Sequence, residues 1–117
     1  MKLMLMVSAS PWGQSRSMLA LRLLRATVAA GHEVEAVFFR EDGVYHALSG
    51  RQTDRGTVDL SRAYVELAEQ GNFPLLLCSA SAQRRLPAAA VPDAPWREAG
   101  LAEFFTREAQ ADRCVCL

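Results

Sequence analysis

The residues of this 117-residue chain that could do chemistry are three cysteines, two histidines and a scatter of serines and arginines. Cys78 has the most suggestive position. It closes an apolar run, Phe73–Cys78 (FPLLLC), and is followed by Ser-Ala-Ser-Ala-Gln-Arg-Arg, which reads as a short helix. A cysteine at the join of a strand and a helix faces free backbone amides and the positive end of the helix dipole, and both favour a thiolate. Arg84 stands roughly 9 Å of helix rise further on, with a side chain that leans back toward the helix start. Arg84 or Arg85 would add positive potential there. A second reading stands beside this one. Free cysteine is among the most buried residue types, and Cys78 would then be the last core residue of its strand.

The remaining groups offer less. Cys114 and Cys116 lie two apart in a strand-like ending, DRCVCL, so they point to one side. A disulfide between them would distort the strand. As metal ligands they lack a second pair. They read as core filling, so alkylation is expected to reach Cys78 before either. His32 reads as a turn residue at the far end of the sheet. His46 is either a proton shuttle or an exposed loop histidine. Ser8, Ser10 and Ser15 suggest a phosphate cradle, but Pro11 removes an amide donor and no glycine-rich fingerprint is present. Ser79 and Ser81 sit in no nucleophile-elbow motif and have no evident base.

The elements that must position these groups follow from the hydrophobic pattern. Lys2–Ser8 reads as a buried strand and Ser10–Ser17 as a polar loop. Ser17–Ala30 carries Met18, Leu21, Leu24 and Val28 at helical spacing and stops at Gly31. Glu33–Phe39 is a second strand, and 41–56 is polar and turn-rich. Thr57 reads as the N-cap of a helix through Gln70, ended by Gly71. Phe73–Cys78 is a third strand, buried on both faces. Ser79–Leu86 is a short helix, Pro87–Pro95 a Pro/Ala segment, Trp96–Ala109 a helix and Asp112–Leu117 a last strand. Alternation of this kind predicts an α/β fold: three layers, α/β/α, around a mostly parallel four- to five-stranded sheet, flavodoxin-like in outline. In such a sheet ligands gather beyond the carboxyl ends of the strands. Ser8–Gly13, Arg40–His46 and Cys78–Ser81 are expected to meet there.

Composition narrows the function. Hydrophobic residues at 50% and charged residues at 22% describe one globular domain over 1–117, not a disordered chain. Thirteen basic residues against 13 acidic ones leave no bulk drive toward nucleic acid or an anionic membrane. No apolar run approaches the roughly 20 residues of a spanning helix. Lys2 and Leu3–Val7 imitate an export signal, but the apolar part falls short of the roughly 7–15 residues required. A cytoplasmic location is therefore expected, with the cysteines reduced.

Several of these segments, in order and at nearly the same spacing, resemble the DsrE/TusD family of intracellular sulfur-relay proteins. Pro11-Trp12-Gly13 resembles the family's first-loop Pro-x-aromatic-Gly, with the spacer missing. Gly31-His32-Glu33 matches the turn into the second strand. Val37-Phe38-Phe39-Arg40-Glu41-Asp42-Gly43-Val44-Tyr45-His46-Ala47 resembles the most specific stretch, a Phe-Phe strand end running into an acidic-Gly-Val loop. Cys78 to Arg85 resembles the segment that opens with the family's active cysteine and closes on paired arginines. Gly100-Leu101 and Asp112-Arg113 match the last helix and strand. Arg40 departs from the usual tyrosine and Leu48 from a common asparagine. The short Pro87–Pro95 stretch implies that the family's fourth strand is short or absent here.

The resemblance implies a sulfurtransferase in which Cys78 is the catalytic residue, carrying sulfur as a persulfide. It implies a site lined by Trp12, Gly13, Asp42, Gly43, Val44, Ser79, Arg84 and Arg85, with no metal or organic cofactor. The implied donor is a TusA-like carrier and the acceptor a TusE- or DsrC-like protein. Cysteine-free TusB- and TusC-like paralogues would complete a heterohexamer, or the chain would form a homo-oligomer. The sulfur would serve wobble-uridine 2-thiolation of tRNA or, in a stand-alone DsrE-like protein, sulfur oxidation. No direct contact with nucleic acid or membrane is implied. The competing class is a flavodoxin-like scaffold subunit with an inert Cys78.

Overall fold

The computed structural model describes residues 1–48, 59–87 and 94–117. Five short strands form one sheet: β1 (Lys2–Val7), β2 (Glu33–Phe39), β3 (Leu75–Cys78), β4 (Trp96–Ala99) and β5 (Arg113–Cys116). Their order is β4-β3-β2-β1-β5 and every pairing is parallel. The connecting helices are α1 (Ser15–Ala29), α2 (Leu60–Gly71), α3 (Ser79–Arg85) and α4 (Leu101–Gln110), with a 3-10 turn over Glu41–Ala47 after β2. The chain steps outward from β1 to β4, then returns across the sheet to place β5 on the other side of β1. Right-handed crossovers put helices made on the outward and return journeys on opposite faces. Leu21, Leu24, Ala63, Leu67, Ala82 and Leu86 of the outward helices accordingly share one apolar cluster with Leu5, Val37 and Leu77. Phe104 of α4 packs on the other face with Met4, Phe38, Leu76 and Cys78. This is the three-layer α/β/α fold expected from the sequence.

Three local readings need correction. Trp96–Ala99 is not the start of a helix but the edge strand β4, so the fourth strand is present and, at four residues, short, one of the two outcomes expected for it. Its residues pair with Leu75–Cys78, and Trp96 is buried against Phe39 with ring centroids 5.1 Å apart. The helix starts only after Gly100, whose extended backbone ends the pairing. His46 is fully buried, with Nε2–H donating to the Ala9 carbonyl at 3.0 Å, because the 3-10 turn folds inward onto Phe39 and Tyr64. Met18, assigned to the apolar stripe of the first helix, is exposed; Leu21 and Leu24 of that stripe are buried as expected, and Ala20 joins them on the buried face. The Thr57 cap and most of the Pro87–Pro95 segment lie outside the described residues. The N-cap of α2 is Asp59, whose carboxylate accepts from the Arg62 amide at 3.3 Å.

An ion-pair chain ties β4, α4 and β2 together. Arg97 forks onto both carboxylate oxygens of Glu103 at 2.9 and 2.7 Å. Arg107 reaches the same carboxylate at 2.9 Å and Glu35 at 3.2 Å. Hydrogen bonds from Arg97 and then Arg107 hold the Glu103 carboxyl down to about 2, against an ordinary 4.5. A depressed carboxyl stabilises the fold fully above its unfolded pKa, and that contribution is lost as pH falls toward the folded value. Arg97 and Glu103 are partly solvated, so screening keeps the effect modest. Stability should fall between about pH 4.5 and about pH 2 more steeply in the wild type than in Glu103→Gln. Urea midpoints across that window measure the difference, and parallel curves would show that the ion-pair chain adds nothing.

Candidate functional site

Cys78 is both the last residue of β3 and the N-cap residue of α3, which has no side-chain cap. The direct passage from strand to helix makes Cys78 one of the residues lining a cavity of about 390 Å³ beyond the carboxyl ends of β2, β3 and β4, while it also packs in the apolar cluster beneath α4. Arg40 and Glu41 form one wall, and Ser79, Ala80, Ser81 and Arg84 of α3 form a second. Gly100 and Leu101, at the start of α4, form the third. Cys78 is buried, with 5% of the residue exposed, so the cavity it lines is its nearest opening to solvent.

The turn after β2 is fastened from three sides. The Arg40 amide donates to the Val7 carbonyl at 2.9 Å. Glu41 has a left-handed backbone, φ +53°, and its amide donates to the buried Ser81 hydroxyl at 3.0 Å. Arg85 donates to Asp42 at 3.0 Å and to Glu41 at 2.9 Å. A left-handed non-glycine residue costs roughly 1–2 kcal/mol, and these bonds hold it in place.

The structure brings together part of the expected set. Cys78, Ser79 and Arg84 line the cavity. Arg85 and Asp42 are not among the lining residues; Arg85 is paired with Asp42 and Glu41, so it braces the acidic turn and adds little free positive potential. Val44 is fully buried in the core. Gly43 supports the turn from below: a Cβ there would collide with the Val7 carbonyl. Trp12 and Gly13 are not among the cavity's lining residues. The Trp12 ring stacks on Tyr45 at 5.6 Å, and Gly13 holds a left-handed turn at φ +62°. Arg40, Glu41 and Ser81 line the cavity from segments expected there, whereas sequence reasoning passed over Gly100 and Leu101 as wall residues. Gly100-Leu101 was visible as a motif, but its place beside Cys78 depends on β4, which the sequence concealed.

The other thiols are not core filling. β5 is an edge strand, with Cys114 half-buried and Cys116 exposed. Burial first, then the neighbouring Cys116 thiol and Glu108, push Cys114 up to about 12.

This arrangement can be set against known proteins. The DsrE/DsrF-like family model matches residues 1–116. The chain belongs to that family. It is 32% identical over 126 aligned positions to the "Sulfurtransferase TusD homolog" of Pasteurella multocida, covering all of both chains. It is 34% identical over 109 positions to the protein of that name from Pseudomonas aeruginosa, covering 83% of this chain and 82% of the relative. The crystal structure of the ychN protein from E. coli superposes with a TM-score of 0.79 at 20% identity over the whole of both chains, which is a likeness of fold.

Two expectations follow for this DsrE-family chain. Adding a methyl group at Gly43 forces the turn away from Val7, an overpacking cost of about 1–3 kcal/mol. Gly43→Ala should therefore lower the urea midpoint by that equivalent, and an unchanged midpoint would show that the turn is free to move. A bulky maleimide should label Cys116 ahead of Cys78 in the native protein, reversing the order expected from sequence. Peptide mass mapping of a brief reaction gives the order, and early labelling of Cys78 would mean that the cavity admits large groups.

Proposed function

We propose that this chain is the cysteine-bearing sulfurtransferase subunit of a cytoplasmic sulfur relay. The observation that supports this most is Cys78 itself: the one cysteine among the described residues that lines the cavity, in a chain of the DsrE/DsrF-like family whose relatives are named sulfurtransferases. In the proposed step the Cys78 thiolate attacks the outer sulfur of a donor persulfide. The Cys78 Sγ–S bond forms, the donor's S–S bond breaks, and the electron pair leaves on the donor thiolate. The reverse sense of the same exchange passes the sulfur to an acceptor thiol. Such exchange depends on access and on the fraction of attacking thiolate. Arg84 and the amides at the start of α3 favour negative charge on the carried sulfur.

The proposed donor is a TusA-like carrier and the proposed acceptor a TusE- or DsrC-like protein, serving 2-thiolation of wobble uridine in tRNA. TusB- and TusC-like paralogues, or further copies of this chain, would complete an oligomer. Leu19 and Phe105 are large apolar side chains exposed on α1 and α4, available for such contacts.

Cys78→Ser tests the reading. A serine hydroxyl is un-ionised at neutral pH and cannot hold a transferable sulfur. The swap is nearly isosteric at a strand end, so its stability cost should be about 1 kcal/mol. After incubation with a low-molecular-weight persulfide, wild type should gain one reducible sulfur by mass and the folded mutant none. Circular dichroism is the folding control. A mutant that gains sulfur as fast as wild type would move the chemistry to Cys114 or Cys116. A wild type that never gains sulfur would favour the scaffold reading.

A further inference from the structure

The proposed relay uses Cys78 and leaves two cysteines without a role. Their setting is unusual in chemical type. β5 pairs with β1 in the register Met4↔Cys114 and Met6↔Cys116. Paired residues of neighbouring strands project to the same face and stand about 5 Å apart. Met4 lies in the apolar cluster beneath α4, and Met6 and Cys114 pack against that cluster. Alternation puts Cys116 on this face too. Two thiols and two thioethers therefore form a block at one edge of the sheet. Cys114 is half-buried and Cys116 is open to solvent, and strand alternation sets both thiols on the same face of β5. Glu108 of α4 adds negative charge beside Cys114.

We propose that Cys114 and Cys116 form a binding site for a soft monovalent cation of the Cu(I) class, held between their two sulfurs with the Met6 thioether as a further donor.

Ligand type and spacing both select this class of metal. Thiolate and thioether donors are soft and prefer Cu(I) to hard cations. Zinc takes four ligands of the Cys, His and carboxylate kind. Among the described residues no group of three or more such side chains is arranged to hold a metal. A two-coordinate cation needs no more than the pair. Residues i and i+2 of a strand have Cα atoms about 6.6 Å apart, near the upper limit for a disulfide. A linear S–metal–S bridge spans two metal–sulfur bonds in place of the single S–S bond of about 2.05 Å, which suits that wider separation. Binding breaks two S–H bonds, releases two protons to solvent and transfers no electrons. The edge position gives the cation a route in through Cys116, while Cys114 and Met6 supply the apolar side that excludes water. This site is independent of the sulfur relay: it uses a different strand and different thiols.

The test is an anaerobic titration of the full chain with Cu(I), competed by a chromogenic Cu(I) chelator. It is done in the Cys78→Ser background so that the cavity thiol does not contribute. One equivalent of Cu(I) should withstand the chelator. Loss of outer-shell partners alone weakens metal sites about 10–100-fold, so removing a thiolate ligand should cost more than about a hundredfold. Cys116→Ser and Cys114→Ser should each do so, and Met6→Leu should cost about tenfold. Cys116 is exposed, so its variant should fold, with circular dichroism as the check. Failure of the Cys78→Ser protein to retain Cu(I) against the chelator would overturn the site. Equal retention by the Cys114→Ser or Cys116→Ser variants would do the same.

Discussion

The candidate site of this protein depends on one constraint: the turn at Arg40–Gly43 must lie flat against the end of β1. The Arg40 amide is committed to the Val7 carbonyl, and Gly43 passes so close to the same carbonyl that no side chain fits between them. Closeness at Val7 drives the backbone at Glu41 into a left-handed conformation, which a glutamate adopts reluctantly. What holds it there comes from α3. Ser81 accepts the Glu41 amide, and Arg85 grips both acidic side chains. The turn and the helix that follows Cys78 are thus one unit, and the cavity wall is set by a bond network, not by a free loop.

This coupling explains which parts of the site were legible in the sequence. The strand-to-helix passage at Cys78 was readable because FPLLLC is apolar throughout and the next seven residues are small or good helix formers. Both halves of the turn were visible as a motif. Their partnership with α3 was not, because a side chain 43 residues away supplies the clamp. Arg85 and Asp42 were both expected at the site, and each is near it. Pairing turns two apparent sources of charge into a neutral brace, and leaves Arg84 facing the cavity. Whether an arginine is free or committed is a property of packing, which composition and spacing do not record.

The concealed elements share a physical cause. Trp96-Arg97-Glu98-Ala99 contains one aromatic residue and no β-branched residue, and it runs straight into the helical pattern of α4. As an edge strand with two exposed residues it needs little apolar sequence, and its pairing with β3 is fixed by tertiary context. His46 was misjudged for the converse reason. A polar, glycine-containing stretch reads as a surface loop, yet a backbone carbonyl within reach let the imidazole be buried against Phe39 and Tyr64. Cys114 and Cys116 looked like core because DRCVCL is strand-like. Strand type is local, whereas central or edge position is decided by topology, and among the described residues β5 has β1 on one side and no strand on the other.

The same topology separates the thiols by environment. On the face beneath α4, Cys78 belongs to β3 and the other two belong to β5, with β2 and β1 between them. Strands stand about 4.8 Å apart, so three strand spacings place Cys78 roughly 14 Å or more from the edge pair. Direct exchange of sulfur between the two sites is excluded without unfolding the sheet. A persulfide formed at Cys78 would be sheltered from the thiols of its own chain, and the cavity would confine exchange to a partner that presents its sulfur on a narrow arm. That separation would serve the proposed relay: a sulfur carried on Cys78 would be labile toward any thiolate, and the fold keeps the other cysteines of the chain out of its reach.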